Sequence, residues 1–288
     1  SDVVPKNCNL VIEQPKMYSS IEINGQVLDF VDTAFYVDHS FRTTGITSHL
    51  KKGTNTILLV LNYIAPVPDS LDAVTRYGTE IESIYLIGDF GVKAKASKYS
   101  PGNTQKNMDR TLPSQNIHRI SSFVLSDEKE FFKGDLTVQG YPFYSGSFLL
   151  KQDFYIDRLD KDARCFIRFP KVESIVVECE LNGIKLEPVA WSPWEIEVTS
   201  CLKAGDNHIE LTLTNSLRNL LGPHHHCQGE LIEVGPVSFT GRSSWPDQVK
   251  GKDNWYDLRI EGKANKWHDD YYLIPFGLLE SPVIIMKN

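Results

Sequence analysis

No apolar run in this sequence approaches the roughly 20 residues that a membrane-spanning helix needs, and the N-terminal residues lack the apolar core of a signal peptide. The chain reads as though cut from a longer polypeptide. Cysteine is scarce and unpatterned. Cys8, Cys165, Cys179, Cys201 and Cys227 form no CxxC pair and no compact disulfide framework. Reduced thiols in a cytoplasmic compartment are the favoured reading, with a secreted parent protein as the other. A phosphate-binding loop, a dinucleotide GxGxxG and a serine nucleophile elbow are all missing. Positive charge is in deficit, 30 Lys and Arg against 37 Asp and Glu for a formal charge of −7, which disfavours nucleic acid and anionic membranes as partners. Amphipathic stretches long enough for a useful helix are lacking too.

What is present fits a soluble globular protein: 288 residues, 41% hydrophobic and 23% charged, enough chain for two domains with separate cores. Residues 205–230 organise the rest. Gly205, Asp206 and Asn207 read as a turn. Ile209, Leu211 and Leu213 then alternate with His208, Glu210, Thr212 and Thr214, the period of a half-buried strand. Asn215 or Ser216 is placed to cap one helical turn bearing Leu217, Leu220 and Leu221, which Gly222-Pro223 stops. His224, His225, His226 and Glu230 follow as a dense polar loop.

The sequence also echoes itself. Residues 20–25 (SIEING) match 178–183 (ECELNG), each placing Asn-Gly after an alternating strand, the strongest short signal for a type I′ hairpin. Residues 46–62 match 198–214, pairing Thr47, Leu50, Gly53, Asn55, Ile57, Leu59 and Leu61 with Thr199, Leu202, Gly205, Asn207, Ile209, Leu211 and Leu213. A third echo runs from 81–92 to 231–236. Three collinear matches imply two copies of one β-domain. Strands are predicted near 9–13, 20–24, 34–41, 56–63 and 81–93 in the first copy. In the second they fall near 146–156, 163–169, 174–181, 195–199, 207–215, 231–239 and 282–286. The fold class is all-β, two sandwiches in tandem over 1–128 and 129–288, with the polar stretch 99–115 as connection or long loop. The run 57–61 (ILLVL) is apolar at every position, which predicts cover on both faces and self-association of the isolated chain.

Candidate site residues come from the second copy, which holds all five tryptophans. Trp and Tyr rings stack on the CH face of a sugar, while Arg, His and Glu bind its hydroxyls. Tyr144, Trp191 and Trp194 are the candidate platforms, and Arg218, His224, His226 and Glu230 the candidate polar contacts. For any single aromatic, core packing is an equal reading. His224 and His226 point the same way in an extended segment, but consecutive histidines chelate poorly as a set, so no metal is assigned. Glycosidases need two carboxylates about 5 to 9 Å apart. Asp38, Asp89, Glu230, Asp269 and Asp270 are available, but the sequence singles out no pair, and no catalytic residue is assigned.

Three phrases carry a resemblance: 81–92 (IESIYLIGDFGV), 139–146 (QGYPFYSG) and 213–226 (LTNSLRNLLGPHHH). They resemble the C-terminal region of large bacterial proteins of the glycoside hydrolase family 2 type, and the hairpin-and-strand pattern is similar to galactose-binding-like jelly rolls. The resemblance spans roughly 10–95 and 135–288. It implies a non-catalytic, carbohydrate-binding accessory region whose catalytic barrel lies upstream in the same polypeptide, with carbohydrate and that barrel as partners. The alternatives are bracing domains without sugar affinity, or a self-contained glycosidase. No cofactor is implied. Related sandwiches often hold a structural calcium, but no Asp-rich loop here identifies such a site.

Overall fold

The computed structural model describes residues 1–65, 67, 71–72, 76, 78–79, 81–97, 118–160, 162–222, 224–225 and 269–287. The fold is all-β, and the chain divides into two compact units: Ser1–Lys93 with Val124–Lys129, and Ala94–Phe123 with Glu130–Asn288.

The first unit contains β1 (Cys8–Glu13), β2 (Tyr18–Ile23), β3 (Gln26–Val27), β4 (Ala34–Tyr36), β5 (Asp38–Gly45), β6 (Ile57–Leu61) and β7 (Tyr85–Gly88). One sheet has the order β4-β5-β1-β7 and the other β3-β2-β6. Alternation places Leu10 and Ile12 of β1, with Ile21 and Ile23 of β2, in a shared core with Cys8, Leu28 and Ile46. The stretch 34–41 is thus two strands, broken at Val37, whose φ of 63° no β-branched residue adopts comfortably.

The division between the units falls within β8 (Gly91–Ala96) and β9 (His118–Ser126). The second unit continues with β10 (Gly134–Asp135), β11 (Ser147–Ile156), β12 (Arg164–Arg168), β13 (Val172–Glu173), β14 (Val176–Leu181), β15 (Ile184–Lys185), β16 (Glu195–Glu197) and β17 (Gly205–Thr214). A helical turn, Arg218–Leu221, follows, then β18 (Tyr271–Leu273), β19 (Gly277–Leu278) and β20 (Val283–Lys287). Sheets β11-β17-β14-β15 and β16-β12-β20 enclose a core that includes Ile167, Val177, Leu181, Leu211, Leu213 and Phe276. A small third sheet has the order β10-β19-β13. The turn expected at 205–207 is instead the start of β17. Asn207 lies in the strand and is buried, because its side chain is committed to the bonds described next.

Both Asn-Gly pairs form the predicted hairpins, with φ of 55° and 79° at Asn24-Gly25 and 55° and 82° at Asn182-Gly183. Each asparagine then ties three chain segments together. Asn182 Nδ2 donates to Cys201 O and to Asn207 Oδ1, both at 2.8 Å, and its Oδ1 accepts from His208 N–H at 3.0 Å. Asn24 Nδ2 donates to His49 O at 2.8 Å and Asn55 Oδ1 at 2.9 Å, and its Oδ1 accepts from Thr56 N–H at 3.1 Å. Asn207 and Asn55 in turn close the loops before their strands by bonds to Lys203 and Lys51. Thr199 Oγ1 accepts from Cys165 N–H at 3.0 Å, as Thr47 Oγ1 does from Cys8 N–H at 2.8 Å. Sheet registers agree as well: β1 lies between β5 and β7, and β12 between β16 and β20. The place that β7 takes beside β1 is therefore taken beside β12 by β20. The second half of the third echo, 231–236, lies outside the described residues, as do the stretch 99–115 and the strand expected at 231–239.

The continuous apolar run of β6 does not have both faces covered among the described residues. Ile57 and Leu59 pack on the core, whereas Leu58 and Val60 are 48% and 41% exposed.

Candidate functional site

Strand registers in the second unit bring most of the predicted site residues to one end of its sandwich. Ser147 at the start of β11 pairs with Thr214 at the end of β17, which pairs in turn with Val176 at the start of β14. Residues 184–189 run back along β14 until Val189 bridges Val177. The turn 190–194 thus emerges at the same end, and Glu195 enters β16 opposite Arg168. Tyr144, Trp191, Trp194 and Arg218 all sit at this end, opposite the Asn182-Gly183 hairpin.

The two tryptophans of the turn have different surroundings. Trp191 is 77% exposed, a free indole face. Trp194 is partly buried against the core, and its carbonyl accepts from Phe169 N–H at 2.9 Å. Tyr144 is 42% exposed, with its ring 4.4 Å from that of Phe148 and its hydroxyl donating to Ser147 O at 3.3 Å. Its carbonyl accepts from Asn215 Nδ2 at 2.9 Å, which joins it to the polar loop after β17. The helical turn has Leu217 at its N-cap with no side-chain cap bond, in place of the expected Asn215 or Ser216. Ser216 Oγ accepts from Arg218 N–H at 3.2 Å from one position further out, and Gly222 ends the turn at a φ of 87°.

His224 faces inward. Its Nε2–H donates to Asn219 O at 2.7 Å, and its ring packs edge-on against Phe143 and tilted over Tyr271 at centroid distances of 5.9 and 5.5 Å. Burial lowers its pKa to about 4, so the ring is neutral. Asn219 is buried and pairs both ways with the main chain of Ile274, at 2.8 and 2.9 Å. These bonds clip the end of the helical turn to the chain beyond β18. They make His224 part of the scaffold, with its ring committed before any ligand arrives. His226 and Glu230 lie outside the described residues.

Sequence reasoning missed a second polar group. Asp135 accepts from Thr137 N–H at 3.0 Å and from Phe276 N–H at 3.3 Å on Oδ1, and pairs with His118 Nε2 through Oδ2. Burial opposes its ionisation, but the hydrogen bonds from His118 and Thr137 outweigh it and hold the carboxyl below its usual range. Glu173, across Gly277 from Asp135 in the small sheet, is shifted upward by burial. Opposite shifts are what acid–base pairs need, yet both oxygens of Asp135 are held by donors of the protein, the arrangement of a tether. Asp38, one of the acids noted in the sequence, is likewise spent locally on Ser40. Asp270 is buried against Arg119 at 2.7 Å and Ser97 at 2.6 Å. No motif marks these groups, because their partners are brought together by sheet register rather than by spacing.

A cavity of about 870 Å³ opens between β11 and β20, lined by Leu150, Phe154, Ile167, Ile209 and Ile284, with the exposed Gln152 also in its lining. Among the described residues no group of three or more His, Cys, Asp or Glu side chains converges to hold a metal. No helix among the described residues is long and apolar enough to cross a membrane.

No protein-family model and no curated protein matches the chain. Parts of solved glycosidases align with it. A rhamnosidase from Novosphingobium sp. PP1Y aligns over 99% of this chain and 21% of its own, at 11% identity and a TM-score of 0.34. The β-glucuronidase of Bifidobacterium dentium aligns over 43% and 19%, at 16% identity and a TM-score of 0.26. One from an uncultured Clostridium sp. aligns over 44% and 21%, at 20% identity and a TM-score of 0.25. The chain thus spans about a fifth of the length of these structures. At TM-scores below 0.5 the likeness assigns no residue a role.

Proposed function

We propose that the chain is a non-catalytic, carbohydrate-binding accessory region of a larger glycoside hydrolase, built as two galactose-binding-like jelly rolls over 1–128 and 129–288. The observation that carries the binding role is the exposed indole of Trp191 at the strand ends that also hold Tyr144 and Arg218. A flat, exposed aromatic face suits a sugar, stacking on its CH face, with Tyr144 and the inward-turned Arg218 guanidinium at the same end of the sandwich. Trp194 and His224 hold this end in place from within, and His226 and Glu230 supply further polar contacts. Few hydroxyl contacts outcompete water, so affinity is about millimolar. Four buried free thiols, at Cys8, Cys165, Cys179 and Cys201, fit a reducing compartment.

Isothermal titration against a panel of galactosides, glucuronides and rhamnosides tests this reading. Heat is expected with at least one glycan, and Trp191→Ala should abolish it without moving the unfolding midpoint. Silence across the panel, or full binding by the variant, overturns it. The exposed Leu58 and Val60 favour a second reading, in which the units only brace a catalytic domain. That reading expects a silent panel and stabilisation by the rest of the polypeptide. Hydrolysis of chromogenic glycosides by this chain alone would refute both.

A further inference from the structure

The matching hydrogen bonds of the two units allow each position of one to be compared with its counterpart in the other, and one strand is unmatched. In the second unit β17 lies between β14 and β11, paired with β11 along ten residues from Thr214↔Ser147 to Gly205↔Ile156. Its counterpart β6 pairs with β2, the counterpart of β14, and with no other strand among the described residues. Asn24 N–H donates to Thr56 O, and Thr56 N–H to Asn24 Oδ1, so Thr56 turns its main chain toward β2. Alternation then directs the amides and carbonyls of Ile57, Leu59 and Leu61 to the open side. Burial agrees: Ile209 and Leu211 are buried where β11 covers them, whereas Ile57 and Leu59 are only partly so.

One rung of the unmatched ladder is already in place. The Ser1 amino group donates to Gly53 O, and Gly53 N–H donates to Ser1 O, both at 2.8 Å. Gly53 corresponds to Gly205 and shares its left-handed φ, 88° against 94°. Ser1 therefore stands beside Gly53 as Ile156, the last residue of β11, stands beside Gly205. A reciprocal pair of this kind fixes both direction and register for whatever is joined ahead of it.

We propose that the edge of β6 left unpaired among the described residues accepts an antiparallel strand of about ten residues, joined to Ser1 in a longer polypeptide, which completes the first sandwich as β11 completes the second. Its chemistry follows from the register. The second, fourth, sixth and eighth residues ahead of Ser1 occupy the places of Phe154, Gln152, Leu150 and Phe148, of which the three apolar ones pack on the core while Gln152 is exposed. The fifth takes the place of Lys151, which bonds Glu210 in the second unit. Here Leu58 replaces Glu210, so an apolar residue is favoured opposite it. The inference stands apart from the sugar-binding reading, since it concerns only the first unit.

Hydrogen exchange tests it. In the monomeric chain the Ile57, Leu59 and Leu61 amides should exchange far faster than those of Ile209, Leu211 and Leu213. Fusing a copy of residues 147–155 ahead of Ser1 should slow these three amides by about 100-fold, while Leu58 and Val60, bonded to β2, change little. A copy with proline at its inward positions should have no effect. The proposal fails if the three amides are already slow in the monomer, if the matched extension leaves them fast, or if dilution shows that a second copy protects them instead.

Discussion

Replacing Asn182 by alanine tests whether the shared hairpin network holds the second sandwich together. The substitution removes three hydrogen bonds, to Cys201 O, to Asn207 Oδ1 and from His208 N–H. At about 1 kcal/mol each they total about 3 kcal/mol. Alanine must also adopt the φ of 55° that asparagine tolerates, which adds about 1 kcal/mol. Asn207 keeps its bonds to Lys203, so the loop before β17 is loosened rather than lost. The expected loss is about 4 kcal/mol. Asn182→Gly removes the same bonds without the left-handed penalty and should cost about 3 kcal/mol. All five tryptophans lie in the second unit, so urea unfolding followed by their fluorescence reads the right part of the chain. A loss below about 1 kcal/mol for the alanine variant would show that water replaces these bonds at little cost, and no difference between alanine and glycine would show that the left-handed φ carries no penalty here.

Other perturbations follow from the same geometry. Burial holds His224 neutral with a pKa near 4, below its value of roughly 6.5 in the unfolded chain. Its contribution is therefore complete above about pH 6.5 and is lost as pH falls toward 4, by at most about 3 kcal/mol. Unfolding across that range should steepen in acid, and His224→Gln should flatten the profile. Burial raises the Cys8 and Cys179 thiols to about 11 and 12, so iodoacetamide at pH 8 should leave both unlabelled in the folded chain and label them in urea, as mass spectrometry would report. Trp194→Ala should cost about 3 kcal/mol through lost packing, whereas Trp191→Ala should stay within about 0.5 kcal/mol, a contrast that thermal melts would resolve.

The parts of the fold legible in the sequence were those that local chemistry decides alone. Asn24-Gly25 and Asn182-Gly183 announce their hairpins because few other pairs adopt two consecutive left-handed conformations. Ile209, Leu211 and Leu213 announce a half-buried strand because the period of a pleat is two. The self-match of 46–62 with 198–214 carried more than secondary structure, since Asn207, read only as a turn former, and its match Asn55 proved to anchor the same bonds. The run 57–61 misled because apolar composition reports what a strand could bury, not what lies beside it. Leu58 and Val60 remain exposed among the described residues, while the signal that matters is the unpaired edge, which no composition displays.

The site was less legible because its residues take their roles from neighbours distant in sequence. His224 sits in a run of polar residues that suggests solvent or ligand, yet Phe143, Tyr271 and the carbonyl of Asn219 enclose it. Trp191 and Trp194 share one turn and one chemistry. Only the path of the chain, leaving one sheet at Val189 and entering the other at Glu195, turns one ring outward and the other into the core. A platform can be named from sequence only when both neighbours of a ring are known. Here that knowledge separates Trp191, which is exposed, from Trp194, which packs on the core.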